Sequence, residues 1–423
     1  KKKFKKDQTI VDANIKVLRA GYYFGRDNQE MAIRFHVKKA DLKPGIYRNI
    51  TGNNAVALGL VTAANKANLP LFLGSYPITP ATEILHFISG YKRYGAKHMQ
   101  MEDEIGGIVS AIGASYGGAL ACTTTSGPGL SLKVEAMGLA VMLELPLVIV
   151  DVQRAGPSTG LPTKTEQTDL NIAMYGRHGE APLAIVAANS STDCFDMAYE
   201  AARIAIKYMT PVILLTDGYI AQGSEAWLVP NLDEIPEIKV EFAKDKSTFA
   251  PYKRDPETLA RMWAIPGMEG LEHRIGGLEK EDISGVVSHD QLNHEKMVGL
   301  RAAKIEGIAN DIPEQEVIGD EDAKVLLLTW GSTHGSAKIA FDNLKDKGHK
   351  LAYANIKYLN PLPRNMKEII EKYDTILLPE VNKGQLKNIL QSKFMKPILG
   401  FHKLQGVTFT SIEIENKLLE LLG

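Results

Sequence analysis

The run Leu71-Phe72-Leu73-Gly74-Ser75-Tyr76-Pro77-Ile78-Thr79-Pro80 carries an apolar strand signal straight into a stiff turn. Residues 71–74 read as a short buried strand. Two prolines then bracket a threonine. Thr79 is of the type that caps helices and Pro80 suits a first helical position, so a helix is expected over 80–89. A rigid loop at the C-terminal end of a strand is where open α/β sheets place their ligands. An ordinary strand–helix turn looks the same, so the decision rests on whether the arrangement recurs.

Between residues 51 and 222 it does recur, as apolar runs alternate with helical stretches. Strands are expected at 71–74, 97–101, 120–124, 146–152, 183–187 and 211–216. Helices are expected at 55–67, 80–89, 104–116, 130–143, 170–175 and 192–208. This alternation implies a parallel sheet covered on both faces. Residues 229–322, rich in proline, glycine and charge, read as an extended linker with one helix over 293–310. Alternation resumes at 323, with strands at 325–329, 351–356 and 375–378 and helices from 363 and 384. The first fifty residues hold a helical stretch at 16–20 and a strand candidate at 31–38, with no core of their own. The expected divisions are therefore 1–50, 51–228, 229–322 and 323–423.

Lysine and arginine number 49 against 50 aspartates and glutamates, a net charge of −1. That balance gives no electrostatic case for nucleic acid or a membrane surface as partner. No apolar run approaches the ~20 residues of a membrane span. The two cysteines, Cys122 and Cys194, stand far apart. They suit a reducing, cytoplasmic compartment and exclude an iron–sulfur cluster held by four cysteines of this chain. The start, Lys1-Lys2-Lys3-Phe4-Lys5-Lys6, has neither methionine nor the apolar segment of a signal peptide, as expected of a trimmed product or a piece of a longer protein.

Three strand–helix junctions carry residues suited to chemistry. Glu104 opens a helix crowded with glycine. Its interior Gly106, Gly107 and Gly113 give up roughly 3 kcal/mol against alanine, unless dense packing within the domain or a helix contact across a subunit interface offsets it. Glu104 either complements the helix dipole together with Glu102 and Asp103, or faces a closed, glycine-lined interface and shares a proton with a ring nitrogen. Thr124-Thr125-Ser126-Gly127-Pro128-Gly129 leaves a strand and enters a helix, where N–H groups and hydroxyls bind polar ligands. It matches neither a Walker loop nor the dinucleotide glycine pattern. Arg154, at the end of the strand over 146–152, either grips a carboxylate through two hydrogen bonds or makes a structural salt bridge. The loop after it is long, polar and rich in glycine and proline, as functional loops often are. No metal-ligand spacing and no nucleophile elbow stands out, so no metal site is expected in this chain.

Read in order, Tyr76-Pro77-Ile78-Thr79-Pro80, Glu104 ahead of its glycines, Thr125-Ser126-Gly127-Pro128-Gly129 and the stretch from Arg154 through Gly156-Pro157-Ser158-Thr159-Gly160 to Pro162-Thr163 resemble the alpha subunit of 2-oxoacid:ferredoxin oxidoreductases. The resemblance runs from about residue 51 to the C-terminus and includes Pro379-Glu380-Val381-Asn382-Lys383-Gly384-Gln385-Leu386. The first fifty residues are similar to the tail of a gamma domain that some members fuse ahead of alpha. The resemblance implies an α/β fold: a thiamine-diphosphate-binding-type pyrimidine domain with a parallel sheet, plus a smaller transketolase C-terminal-like α/β domain.

The resemblance further implies thiamine diphosphate as cofactor. Glu104 would contact the aminopyrimidine ring and promote its imino tautomer, with Pro77 and Ser126 also at the cofactor. Thr79, Arg154 and Thr163 would bind the 2-oxoacid. The Gly-Asp-Gly motif that binds magnesium diphosphate is missing, since Asp217-Gly218 lacks the preceding glycine. The cluster cysteines are missing too. A separate beta subunit is therefore implied, carrying Mg2+ and the iron–sulfur cluster, in a heterodimer or a dimer of heterodimers. The implied activity is oxidative decarboxylation of a 2-oxoacid to an acyl-coenzyme A with electrons to ferredoxin. 2-Oxoglutarate comes first, because the gamma–alpha fusion resembles that branch; branched-chain 2-oxoacids and pyruvate stay open. So do a non-redox, transketolase- or synthase-like thiamine subunit and a non-catalytic assembly subunit.

Overall fold

Every side chain of Leu120–Thr125, Leu147–Gln153 and Pro211–Asp217 is buried. Strands covered on both faces require this, and it explains why they read as unbroken apolar runs. The computed structural model describes residues 7–28 and 39–423. The chain divides into two compact units between Ile46 and Tyr47. In the first, α1 (Gln8–Asp27) is capped by Asp7, whose side chain accepts from the Ile10 N–H at 3.2 Å. It contains the stretch expected to be helical at 16–20. The strand expected at 31–38 lies outside the described residues.

The second unit opens with β1 (Tyr47–Thr51), α2 (Gly52–Lys66), β2 (Leu71–Ser75), α3 (Thr82–Ser89), β3 (Ala96–Gln100), α4 (Glu104–Tyr116), β4 (Leu120–Thr125), α5 (Gly127–Leu132) and α6 (Val134–Leu143). It continues with β5 (Leu147–Gln153), α7 (Leu170–Tyr175), β6 (Ala184–Ala187), α8 (Asp193–Tyr208), β7 (Pro211–Asp217), α9 (Gly218–Gln222), β8 (Ser224–Leu228) and α10 (Gln291–Gly307). The C-terminal part holds β9 (Ile318–Gly319), β10 (Val325–Trp330), α11 (Thr333–Asp346), β11 (Ala352–Ile356), β12 (Tyr358–Asn360), α12 (Met366–Lys372), β13 (Thr375–Glu380), α13 (Gln385–Phe394), β14 (Leu399–His402) and α14 (Ser411–Leu422).

Among the described residues the larger sheet has the order β12-β6-β7-β5-β4-β2-β3, and the smaller β14-β13-β10-β11-β9. Both are parallel except for one antiparallel edge strand each, β12 and β9. β1 pairs with β8 in a separate antiparallel ribbon. Alternation along β10 shows how the sheets join: Leu326, Leu328 and Trp330 enter the main core, while Val325 and Leu327 face a second core with Phe341, Leu344 and Leu418.

Three features depart from the sequence reading. The helix expected from residue 80 begins at Thr82, and Thr79 does not cap it. The carbonyls that would open that turn are already engaged: Thr79 O accepts from Arg154 Nη1 at 2.7 Å and Pro80 O from Asn53 Nδ2 at 2.9 Å. The helix expected at 130–143 starts earlier and divides at Lys133 into α5 and α6. Finally, β12, from the C-terminal part, extends the larger sheet, with Asn360 Nδ2 donating to Leu183 O at 2.6 Å.

Residues 229–322 do more than span a gap. They place Trp263, Ile305 and Ile308 in the main core and form a small cluster of their own around Ala264. Glu144, which is buried, anchors them: it accepts from Arg254 Nη2 at 2.6 Å and also pairs with Lys304 of α10. Among the described residues no helix is long and apolar enough to cross a membrane.

Candidate active site

The sheet order sets β5, β4 and β2 side by side, so the loops after them open onto one edge. Ser75, at the end of β2, clips it to β4 by donating to Thr124 O at 3.0 Å. Helix α4 then lies directly on β2. A Cβ on Gly74 would stand 2.5 Å from Gly107 O, so the strand could not approach the helix this way with a side chain there. Packing within the domain thus requires glycine at 74, while a Cβ on Gly107 would be tight, 3.3 Å from Ser75 Cα. Gly113 is different: a Cβ there meets nothing within 4 Å.

Asp103 caps α4, accepting from the Gly106 N–H at 2.6 Å, and fixes where Glu104 begins. Glu104 is only 8% exposed, yet among the described residues its carboxylate accepts no hydrogen bond. Its stem is wedged against Gly129, where a Cβ would lie 2.7 Å from Glu104 Cγ and 2.2 Å from Thr125 Oγ1. Beneath it, the fully buried Lys133 donates from Nζ to Glu104 O at 2.7 Å.

Ser126, the N-cap of α5, is fully buried, and its hydroxyl has no partner. Arg154 is 6% exposed; one arm of its guanidinium is spent on Thr79 O, while Nε has no partner. Pro77 is half-buried, and Tyr76 and Thr79 are exposed on the open side. The structure thus gathers Pro77, Thr79, Glu104, Ser126 and Arg154 around one edge of the sheet. Two of them, Ser126 and Arg154, bury a polar atom that has no partner, which is costly unless a ligand uses it.

Residues 63–290 match the model of the pyruvate flavodoxin/ferredoxin oxidoreductase family, described as its thiamine diphosphate-binding part. The chain belongs to this family. It is 51% identical over 415 residues to the 2-oxoglutarate oxidoreductase subunit KorA of Mycobacterium tuberculosis, covering 98% of this chain and 63% of that protein. The chain therefore spans less than two thirds of that relative's length. It is 34% identical to the 2-oxoglutarate synthase subunit KorA of Archaeoglobus fulgidus, covering 88% of this chain and 97% of the relative. The solved 2-oxoglutarate:ferredoxin oxidoreductase of Magnetococcus marinus, with 2-oxoglutarate, coenzyme A and succinyl-CoA bound, superposes with a TM-score of 0.90 at 32% identity, covering 99% of this chain and 72% of that one. The α/β, thiamine-diphosphate-binding fold expected from the motifs is the fold of this family.

The buried donors and the unpaired carboxylate fit the family's cofactor: a thiamine ring offers nitrogens to Glu104, and Ser126 has a hydroxyl to give. The site shows no diphosphate–metal cradle at Asp217. Its Oδ1 instead caps α9 through the Tyr219 and Ile220 N–H groups at 2.9 and 3.3 Å and accepts from Thr165 Oγ1 at 2.9 Å.

Thr163 is exposed, one residue from the backbone bond that ties its loop back beside Arg154. It lies on the exposed arm of the loop, which closes on itself through Ala155 N–H to Lys164 O at 3.0 Å. The returning arm is buried and fastened to the smaller sheet. Gln167 donates from Nε2 to Trp330 O at 2.8 Å and accepts from Val381 N–H at 3.0 Å, while Asn382 Nδ2 donates to Gln167 O at 2.6 Å. This gives the Pro379–Leu386 motif a local purpose: Glu380 caps α13 through the Leu386 N–H at 2.9 Å and, with Asn382, presents this clamp.

Sequence reasoning missed a buried acid pair. Asp151 lies on β5 with both oxygens lacking a donor other than the carboxyl of Asp169. Burial, and then the neighbouring Asp169, push Asp151 well above the ordinary carboxylate range, and burial raises Asp169 to about 6. The available signal was an aspartate inside the apolar run Leu147-Val148-Ile149-Val150-Asp151-Val152.

Proposed function

We propose that this chain is the alpha part of a 2-oxoglutarate:ferredoxin oxidoreductase and supplies the pyrimidine-facing half of a thiamine diphosphate site completed by a second chain. Glu104 carries the reading. Glu104 is 8% exposed, its carboxylate accepts no hydrogen bond from the described residues, and it opens toward the same end of the sheet as Ser126 and Arg154, so a partner from outside the chain can take it.

Bound thiamine diphosphate supplies the nucleophilic carbon and the electron sink that decarboxylation of a 2-oxoacid needs. Glu104 holds and moves a proton at a ring nitrogen, and α4 with Gly129 prevents it from swinging away. Pro77 and Ser126 line the same pocket. Arg154, oriented by its bond to Thr79 O, offers its remaining N–H groups to the 2-oxoacid carboxylate. Thr79 stands beside it, and Thr163 is assigned to the substrate on its motif. The names of the relatives favour 2-oxoglutarate, with coenzyme A as acyl acceptor.

The outer stripe of α4, with Ile105 and Val109 exposed and Gly113 open, is apolar and sits next to Glu104, which supports burial against a second chain. That beta chain carries Mg2+, the diphosphate motif and the iron–sulfur cluster, and ferredoxin takes the electrons. The complex works in the cytoplasm as a heterodimer or a dimer of heterodimers. In the complex assembled with the beta chain, Glu104→Gln lowers 2-oxoglutarate-dependent ferredoxin reduction by about 10²–10⁴-fold. Unchanged turnover refutes the role given to Glu104.

A further inference from the structure

Lysines on helices normally run their stems along the surface and leave the ammonium in water. Lys133, at the junction of α5 and α6, has no such exit, being fully buried. Its Nζ donates to Glu104 O at 2.7 Å and packs against Gly107, whose built Cβ would lie 3.4 Å away. The charged groups facing it are Glu104 and Asp103, both from α4; β2 faces it with the small residues Gly74 and Ser75, which touch Gly107 at the same spot. Among the described residues Lys133 forms no ion pair within contact distance. A buried cation held by a single carbonyl weakens the fold. Such local violations concentrate where chemistry needs them.

We propose that Lys133 is the positioning residue of Glu104: it ties down the main chain from which the carboxylate projects and supplies the positive field in which that carboxylate exchanges its proton. The proposal rests on the reading of Glu104 as the group that faces the cofactor ring. Burial pulls Lys133 down to about 8 against the opposing pull of Glu104 and Asp103. Its charge is therefore present at neutral pH and fades in mildly alkaline solution, and turnover should fade with it.

The test compares wild type, Lys133→Met and Glu104→Gln, as the full chain and in the assembled complex. Methionine keeps the length of the stem and removes the charge. In the complex, Lys133→Met should lower kcat roughly 10–100-fold with KM little changed, and the alkaline limb of the wild-type kcat profile near pH 8 should vanish. Thermal unfolding of the full chain supplies a readout independent of turnover. Between about pH 8 and about pH 10 the unfolded chain holds a lysine proton that the folded chain has lost, so stability rises with pH in wild type. Lys133→Met lacks that rise and is no less stable than wild type near neutral pH. A Lys133→Met complex that keeps turnover and its alkaline limb while Glu104→Gln is inactive overturns this inference alone. So does a variant that melts lower at every pH and shows an unshifted limb, since that is the behaviour of a merely structural lysine. If Glu104→Gln retains turnover, the reading of Glu104 falls, and the inference with it.

Discussion

Gly129→Ala adds one methyl group, and the structure says where it lands. The new Cβ would stand 2.2 Å from Thr125 Oγ1, 2.7 Å from Glu104 Cγ and 3.0 Å from Glu104 Oε1. Carbon atoms in contact rest about 3.5–4.0 Å apart, so the Glu104 stem has to retreat by about 1 Å. The Thr125 hydroxyl is fully buried and has little room to yield. The Glu104 main chain is held by Lys133, so the displacement falls on the carboxylate. Overpacking of this kind costs about 1–3 kcal/mol, of which the gain in helix propensity returns about 1 kcal/mol. A catalytic group moved by about 1 Å loses about 10²-fold in rate, equivalent to about 2.7 kcal/mol in the barrier. Turnover should therefore fall further than stability. The assay is 2-oxoglutarate-dependent ferredoxin reduction by the assembled complex, paired with thermal unfolding of the same preparation. A Gly129→Ala complex with wild-type kcat shows that Glu104 is not held by this wall, and the reasoning fails.

Gly113→Ala is the contrasting change, because its Cβ meets nothing within 4 Å. In the chain alone it should raise stability by about 1 kcal/mol in thermal unfolding, while binding of the second chain weakens if α4 is its docking face; no gain in the melting temperature contradicts the open-face geometry. Glu144 is a structural counterpart to the site. Burial alone would raise it, but Lys304 and Arg254 hold it down to about 2. Its contribution is thus present above about pH 4.5 and lost as pH falls toward 2. Glu144→Gln should cost about 3–5 kcal/mol near neutral pH and flatten the acid branch of stability. An acid branch identical to wild type would show that the cluster does not anchor residues 229–322.

Much of the architecture was legible because it is written in local pattern. Fully buried parallel strands produce apolar runs, and those of the larger sheet stand within one or two residues of their expected positions. Junctions bearing Pro77, Glu104, Ser126 and Arg154 could be recognised one at a time, since each couples a strand end to a turn or cap of distinctive composition. The start of α3 was misread because capping rules see only neighbours, whereas Asn53 and Arg154 reach the Thr79–Pro80 carbonyls from far along the chain.

The sequence by itself determined the strand–helix alternation, the family motifs and the residue types at each strand end. Tertiary structure alone decided which of them gather at one edge of the sheet, that Thr163 stays on an exposed arm, that β12 joins the larger sheet, and that Lys133, Asp151 and Asp169 are buried. The physical reason is that a charged side chain acquires its chemistry from the water and partners it loses. Those losses are set by residues distant in sequence: Gly107 and Glu104 for Lys133, and Asp169 for Asp151.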